Sequence, residues 1–446
     1  MAFVPHTEEE RKEMLASIGV ASFDELISNI PEEIRLKGDL NIAPKLSEYE
    51  VTKLLTEYAA RNKSADRFAC FMGGGAYDHF VPSIVGSVLE RPEFKTAYTP
   101  YQAEVSQGTL QAMYEFQSMI CALTGMDISN ASMYDGGSAL AEACLMANAY
   151  TRKTEILIAG TIQPFFRQVM DTVTVGRKLE FRTFIGEDGR ADLEALRAAI
   201  SDKTAAVVVQ TPNAYGNLED VRSIEQICHT QKALFIVAVN PLSLGAIEAP
   251  ANYNADVVVG EGQPLGIPLS YGGPYLGFFA CKKEFVRVLP GRICGVTEDE
   301  EGKRGFVLTL QTREQQIKRE KATSNICTNQ GLFMLAATVY METMGKEGVA
   351  EASGQCLQKA HYLAKRISEI PGFKLMNDKP FFNEFLVETP VPAVEIIRKG
   401  TEKGILPGVD TSYWPEMKQG LLVAVTEKRT KEEMDALVEI LKEFSK

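Results

Sequence analysis

Three kinds of sequence feature are missing from this chain of 446 residues, and each absence excludes a class of protein. The eight cysteines stand singly without a CxxC pair and the four histidines are far apart, so neither a metal site nor a disulfide framework is predicted. No apolar run approaches the roughly 18 residues of a membrane-spanning helix, and no signal peptide is recognisable. We therefore expect a cytoplasmic chain with reduced thiols.

The chain also has fewer positively charged than negatively charged residues. The chain has 47 Lys and Arg against 59 Asp and Glu, which gives a net charge of −12 and an isoelectric point near 5.1. Nucleic acids and anionic membranes attract proteins through basic patches. We expect neither as a main partner, and an acidic surface of this kind suits small-molecule chemistry.

A further absence falls within residues 256–280, the stretch around which the chain is organised. No Lys or Arg occurs between Lys232 and Lys282. Two apolar runs in this stretch, 257–259 and 276–280, are typical of buried strands. The loop between them is rich in glycine, so its backbone can adopt left-handed conformations and approach other groups closely. We expect a ligand or a neighbouring chain to come near this loop.

Alternation of apolar runs with amphipathic helices predicts an α/β fold with a mostly parallel sheet covered on both faces. The strand-like segments are 154–159, 178–184, 205–210, 234–239, 256–259 and 276–280. Short helices that begin at Ser or Thr capping pairs come before this region, and a long helix followed by a small α+β lobe comes after it. We predict a helical arm over 1–65, a large α/β domain over 66–329, and a connecting helix with a small domain over 330–446.

Gly136, Gly137 and Ser138 form a turn at the entrance to an alanine-rich helix. Such a turn exposes free backbone N–H groups at the positive end of the helix dipole, which is the usual site for an anion. Alternatively, Ser138 with Asp135 or Glu142 is only a helix cap, and the sequence leaves both interpretations open.

A second polar loop carries Tyr98, Tyr101, Gln102 and Glu104 next to a proline, just before a predicted helix. This density of polar and aromatic side chains is above what a linker needs, although surface decoration is the alternative. The proline fixes the backbone and lowers the entropy cost of holding these side chains in place. The loop is therefore a candidate functional site.

Two other segments have simpler interpretations. The three-glycine loop within 71–82 lacks the Lys and Ser or Thr of a phosphate loop and is predicted to be a tight loop. Residues 304–329 form the one dense basic segment of the chain, and we interpret it as a solvated helix face with Glu314 paired to Lys318.

The chain resembles the N-terminal half of the P-protein family of the glycine cleavage system. These are pyridoxal phosphate (PLP) enzymes, and the resemblance implies the aspartate-aminotransferase-like PLP fold type I. The blocks that carry it are AYDHFVP (76–82), TPYQAEVSQGTLQ (99–111), DGGSALAEA (135–143), GIPLSYGGP (266–274) and QTREQQIKREKATSNICTNQ (311–330). Some organisms divide this enzyme into two subunits, and the chain matches the first of the two.

The resemblance implies that this subunit has lost the groups that hold the cofactor. The lysine that would bind PLP is missing near Gln263, and Asn240 stands where an Asp would keep the pyridine nitrogen protonated. The turn Gly136–Gly137–Ser138 would then be a vestigial phosphate loop. Any contribution to chemistry would come from loops that reach the partner's site, and the candidates are Tyr98, Tyr101, Gln102, Glu104 and Asn325, the last in the loop 323–328.

The implied function is that of a glycine decarboxylase subunit. Subunit 2 would bind PLP through its own lysine, and the pair, assembled as a heterodimer and then as a heterotetramer, would decarboxylate glycine and pass the aminomethyl group to the lipoyl group of H-protein. This chain alone would be inactive. The alternatives are a self-sufficient PLP enzyme, such as an aminotransferase or desulfurase that uses Lys282 or Lys321, and a purely structural or regulatory paralogue.

Overall fold

The computed structural model describes residues 5–38, 40–327, 329–376, 379–414 and 417–445. It divides into two compact units, Met1–Asn62 and Lys63–Lys446. The α-helices are α1 Glu8–Ile18, α2 Phe23–Leu26, α3 Glu48–Ala59, α4 Ser83–Leu89, α5 Pro92–Lys95, α6 Gln107–Thr124, α7 Gly136–Thr151, α8 Pro164–Thr174, α9 Leu193–Ala199, α10 Val221–His229, α11 Gln315–Lys318, α12 Gly331–Ser368, α13 Ala393–Glu402 and α14 Lys431–Lys442. The strands are β1 Ala69–Cys70, β2 Ile128–Ser129, β3 Glu155–Ala159, β4 Glu180–Phe184, β5 Thr204–Gln210, β6 Leu234–Val239, β7 Val257–Glu261, β8 Gly277–Cys281, β9 Ile293–Glu298, β10 Arg304–Thr309, β11 Lys374–Leu375, β12 Glu384–Glu388, β13 Ile405–Leu406, β14 Val409–Asp410 and β15 Leu421–Ala424.

The first unit consists of α1, α2 and α3, and its helix starts follow from side-chain capping. Thr7 and Glu10 form a reciprocal capping box at α1, and Ser47 and Glu50 form another at α3. None of the described residues of this unit is buried. These helices therefore have local hydrogen bonds to define them but no hydrophobic core of their own.

The second unit is built on a seven-stranded sheet in the order β2-β8-β7-β6-β5-β3-β4. The five strands β4, β3, β5, β6 and β7 run parallel, β8 pairs antiparallel to β7, and β2 at the edge pairs antiparallel to β8. The inner strands are buried except at one end residue each of β3 and β5, because apolar clusters cover both faces of the sheet. The predicted mostly parallel α/β sheet is confirmed.

The segment after β8 differs from its prediction. Strands β9 and β10 form an antiparallel hairpin, and Asp299 closes its turn by accepting from Lys303 N. Arg313 is buried, and Glu314 lies 3.6 Å from Arg292 rather than pairing with Lys318. The interpretation of 304–329 as a solvated helix face is therefore wrong.

The helix α12 leads into the C-terminal lobe and breaks at Gly345, whose φ of 59° is left-handed and suits glycine. The lobe contains a four-stranded antiparallel sheet in the order β11-β12-β15-β14, covered by α12, α13 and α14. The domain boundaries at 65/66 and 329/330 stay predictions. Within the described ranges, no helix is both long and apolar enough to cross a membrane.

Candidate functional site

A cleft lies at the carboxyl ends of the parallel strands, where sheets of this kind bind ligands. Side chains and backbone from the ends of β5, β6 and β7, the start of α8 and the C-terminal lobe line it. The cavity that remains among them has a volume of about 30 Å³. That is room for roughly one or two water molecules.

Helix α7 begins at this cleft, and its N-terminal donors already have partners within the chain. Asp135 is the N-cap, and its Oδ1 accepts from the Ser138 backbone N–H at 2.7 Å and from its hydroxyl at 2.8 Å. The Gly136 N–H donates to Glu261 Oε2 at 3.0 Å. A Cβ on Gly136 would lie 2.6 Å from Phe166 Cζ, so glycine here permits close packing against α8.

Glu261, at the end of β7, is a second carboxylate at this helix terminus, beside the N-cap Asp135. Its second oxygen, Oε1, accepts from the backbone N–H groups of Gln263 at 3.0 Å and Leu276 at 3.1 Å. Burial raises the pKa of Glu261 to about 8, although these backbone donors favour the ionised form. An acidic side chain of the chain itself thus occupies the helix end that would otherwise receive an anion.

Gln263 stands at the expected lysine position and is fully committed to structural hydrogen bonds. Its Oε1 accepts from Tyr77 N at 2.8 Å, and its Nε2 donates to Tyr77 O at 2.9 Å and to Ile267 O at 2.7 Å. The Gln263 side chain therefore connects the loop 71–82 to the segment after β7 through hydrogen bonds.

Asn240 follows β6, where the pyridine nitrogen would need an acid. Its Oδ1 accepts from Leu242 N at 3.0 Å, which leaves Nδ2 facing the cleft. Three buried polar atoms at this cleft, Asn240 Nδ2, Gln163 Oε1 and Asn383 Nδ2, have no hydrogen-bond partner among the described residues. Two are donors and one is an acceptor, a combination that water can satisfy.

Together these residues do not fit PLP. A cofactor with a phosphate and an aromatic ring needs far more space than about 30 Å³, and the helix end already binds Glu261. Asn240 cannot provide the charge that stabilises a protonated pyridine. Lys282, the nearest lysine after β8, donates to Asp256 Oδ1 at 2.6 Å and Asn254 Oδ1 at 2.8 Å.

The three-glycine loop in 71–82 surrounds a carboxyl group from the C-terminal lobe. Glu384 Oε1 accepts from Gly74 N at 2.6 Å, and Tyr77 donates its hydroxyl to Glu384 Oε2 at 3.0 Å. Burial raises the pKa of Glu384 to about 7. Sequence reasoning missed both Glu261 and Glu384, although an acidic residue inside an apolar strand is a signal that could have found them.

The glycine-rich loop between β7 and β8 makes one of its close approaches within the chain itself. A Cβ on Gly266 would lie 2.7 Å from Tyr340 Cβ, so this glycine lets the loop pack against α12. The tip of the loop is different, because Tyr271 there is 76% exposed. The tip is the part of the loop that remains available to another molecule.

The second candidate loop, 98–104, lies just before α6. Tyr98 is 84% exposed, and Gln102 and Glu104 are exposed as well. Tyr101 is half-buried, and the Arg292 guanidinium lies 3.8 Å from the centre of its ring. A cavity of about 440 Å³ separates this loop from the start of α12.

Asn325 is exposed in an irregular segment, and Thr328 lies outside the described residues. The neighbouring Ser324 hydrogen-bonds to Glu142, which lies in α7. Burial raises the pKa of Glu142 to about 7. Arg292 connects the loop 98–104 to the segment after β10, because it contacts Tyr101 on one side and Glu314 on the other. No sequence spacing predicted this connection.

A third polar cluster lies outside both loops, at the junction of α12 with the C-terminal lobe. His79 Nδ1 is 2.7 Å from Glu427 Oε2, and Cys356 Sγ is 3.4 Å from the same oxygen. The side chains of His79 and Cys356 are buried. Their wide separation in the sequence gave no indication of this cluster.

A parallel sheet of this order, with a cleft at its carboxyl edge and a small antiparallel lobe, defines the class of PLP fold type I proteins. A solved sphingosine-1-phosphate lyase from Burkholderia pseudomallei shares the fold with a TM-score of 0.65 at 14% identity, covering 91% of this chain and 94% of that one. The family model for the glycine cleavage system P-protein matches residues 1–441. The chain therefore belongs to the glycine cleavage system P-protein family.

Individual relatives agree with this assignment along their whole length. The chain is 54% identical over 444 residues to a "Probable glycine dehydrogenase (decarboxylating) subunit 1" of Chloroherpeton thalassium, and the match covers 100% of both chains. It is 42% identical to a solved glycine decarboxylase (P-protein) of the glycine cleavage system in inhibitor-bound form, with a TM-score of 0.90 and 100% coverage of both. The predicted family resemblance and fold type are confirmed.

Proposed function

We propose that this chain is the subunit of a glycine decarboxylase that carries no PLP lysine. A second subunit of similar fold supplies that lysine, and the two together decarboxylate glycine. The observation that carries the proposal is the cleft at the sheet edge, where Glu261 occupies the helix end and Gln263 and Asn240 stand where a lysine and an acid would hold PLP. The names of full-length relatives, which call them subunit 1, supply the identity of the complex.

In this reaction glycine loses its carboxyl carbon as carbon dioxide, and the remaining aminomethyl group passes to the lipoyl group of H-protein. PLP supplies the electron sink when it is bound to the partner. The contribution of this chain is to orient groups and exclude water at a shared interface. A heterodimer, doubled to a heterotetramer in the cytoplasm, is the assembly that we propose.

The loop 98–104 is the part of this chain that we assign to the partner's site. Tyr98, Gln102 and Glu104 project from it with exposed side chains. Polar groups that are held in a fixed position can bind charge that develops in a transition state. Asn325, which is also exposed, is the candidate from the second loop.

The test uses the purified chain, purified subunit 2 and their mixture. We expect glycine-dependent carbon dioxide exchange only in the mixture. After borohydride reduction with PLP and peptide mapping, the pyridoxyl group should be found on a lysine of subunit 2 and on none of this chain. A stoichiometric pyridoxyl-lysine at Lys282 or Lys321 would overturn the proposal in favour of a self-sufficient PLP enzyme.

A further inference from the structure

Arg292 makes an unusually close contact with the loop 98–104. Its guanidinium carbon lies 3.8 Å from the centre of the Tyr101 ring, whereas other cation–π contacts in the described part of the chain measure 5.3 to 5.9 Å. A planar guanidinium at this distance stacks on the ring face. Such contacts stabilise most where water is excluded.

The far side of Arg292 faces a carboxylate. Its Nε is 3.6 Å from Glu314 Oε2, and the two side chains are only 14% and 11% exposed. This distance corresponds to an ion pair rather than a hydrogen bond. Tyr101, Arg292 and Glu314 therefore form a stack that joins the loop 98–104 to the segment after β10.

Hydrogen bonds to the backbone carbonyls of residues 289–292 hold the turn that carries Arg292 in place. Arg313 donates to Gly291 O at 3.1 Å and also to Leu289 O. Asn130 Nδ2 donates to Pro290 O at 3.1 Å, and Ala131 N donates to Arg292 O at 2.8 Å. The backbone at Arg292 is therefore fixed, and the guanidinium extends from a well-defined position.

The loop 98–104, by contrast, has few hydrogen bonds of its own. The amide N–H of Tyr101 donates to Thr99 O at 2.9 Å, and those of Val105 and Ser106 donate to Gln102 O at 3.2 and 3.0 Å. Each of these is a local turn contact. Among the apolar side chains of the loop, only those of Tyr101 and Ala103 pack against the core.

We infer that Arg292 is a positioning residue for the reaction, and this inference rests on the proposed function. It fixes the Tyr101 ring, and through it the backbone from which Tyr98, Gln102 and Glu104 project toward the partner's site. Arg292 itself touches neither glycine nor the cofactor. Its effect reaches the reaction only through the order of the loop.

The test compares Arg292→Met, which keeps the length but removes the charge, with Arg292→Lys, which keeps the charge but removes the planar stack. The chain offers a matched control in Arg182, which lies over Phe184 at 5.4 Å and pairs with Glu155 at 3.3 Å on the edge strand β4. Arg182→Met removes a longer and more exposed cation–π contact, together with its ion pair, at a place remote in sequence from the loop.

Three quantities are measured in the complex with subunit 2: turnover of glycine-dependent exchange, affinity between subunits, and hydrogen exchange of the amides of Tyr101, Val105 and Ser106. For Arg292→Met we expect turnover to fall about 5-fold to 30-fold, the range of a desolvated cation–π contact. The loop amides should exchange faster, and subunit affinity should stay within about twofold. Arg292→Lys should recover part of the turnover, and Arg182→Met should leave all three unchanged.

Unaltered amide exchange in Arg292→Met would overturn the inference, as would a loss of subunit affinity large enough to explain the loss of turnover. Tyr101→Leu separates this inference from the proposed function. If Tyr101→Leu leaves turnover intact, the loop has no catalytic role and the positioning role falls with it. If Tyr101→Leu lowers turnover but Arg292→Met does not, only the role of Arg292 is rejected.

Discussion

Tyr101 and Glu104 occupy the same loop but are held differently, because Tyr101 is stacked under Arg292 and Glu104 is exposed. We predict that Tyr101→Phe and Glu104→Gln each lower turnover of the complex on the order of 10-fold to 1000-fold, as expected for one lost transition-state contact. Assembly and the absorbance of the cofactor should not change. Turnover and subunit affinity are measured together, and an affinity loss that accounts for the whole rate loss would contradict the prediction.

Glu384 provides a prediction about pH. Burial raises its pKa from 4.5 to about 7, so between these values the folded state holds a proton that the unfolded state has released. Its contribution to stability is therefore complete below about pH 4.5 and is lost as pH rises through about 7, by at most about 3 kcal/mol. Glu384→Gln, which mimics the protonated form, should make this decline less steep, and the raised pKa values of Glu142 and Glu261 should account for part of what remains.

The measurement is the urea midpoint of the isolated chain between pH 5 and pH 8. Glu388, exposed at the end of the same strand, gives the matched control Glu388→Gln, which should behave as the wild type does. A wild-type midpoint that rises over this range, or a variant that declines as steeply as the wild type, would count against the assignment.

The importance of a single residue could be predicted from the sequence where it replaces a residue type that the fold would otherwise require. Asn240 and Gln263 were found because an acid and a lysine were expected at strand ends. Glu384 and Arg292 were not found, because their importance depends on contacts with residues far away in the sequence. Local pattern carries no information about such contacts.

At the level of secondary structure, the contact between α7 and α8 depends on one small residue. A Cβ on Gly136 would lie 2.6 Å from Phe166 Cζ and 2.9 Å from Glu261 N. We predict that Gly136→Ala destabilises the chain by about 1–3 kcal/mol through overpacking. Gly86→Ala in α4 meets no heavy atom within 4 Å and should stabilise by about 0.5–1 kcal/mol. Thermal midpoints of the two variants should shift in opposite directions, and equal shifts would refute this account.

Strands β5, β6, β7 and β8 were predicted to within two residues at each end because they are continuous apolar runs between turn residues. The hairpin of β9 and β10 was missed. Its strands are only partly buried, so they lack the continuous apolar pattern of the inner strands, although the charged residues between them do indicate the turn. Burial on both faces gives a strong sequence signal, and partial exposure removes it.

For the molecule as a whole, we predict that the N-terminal arm contributes to association with subunit 2. Large apolar side chains of the arm are exposed, among them Ile34 at 74% and Ile42 at 75%. Burying one such side chain contributes about 1.5–3 kcal/mol. We predict that deletion of residues 1–45 weakens pairing with subunit 2 by at least about tenfold while the large domain stays folded.

Pairing is measured by co-purification and titration at increasing salt, and folding by the thermal midpoint of the truncated chain. The double variant Ile34→Ser/Ile42→Ser should weaken pairing in the same direction without shortening the chain. Undiminished yield and salt resistance of the truncated complex would contradict a pairing role for the arm.

The same exposed side chains determine the fate of a copy that never meets its partner. Segments with apolar surface and little packing are those that chaperones retain and proteases cleave, so surplus copies should be degraded faster than assembled ones. Their removal would keep the two polypeptides in equal amounts even when synthesis of one exceeds the other. The arm would then adjust the cellular supply of the enzyme as well as its assembly.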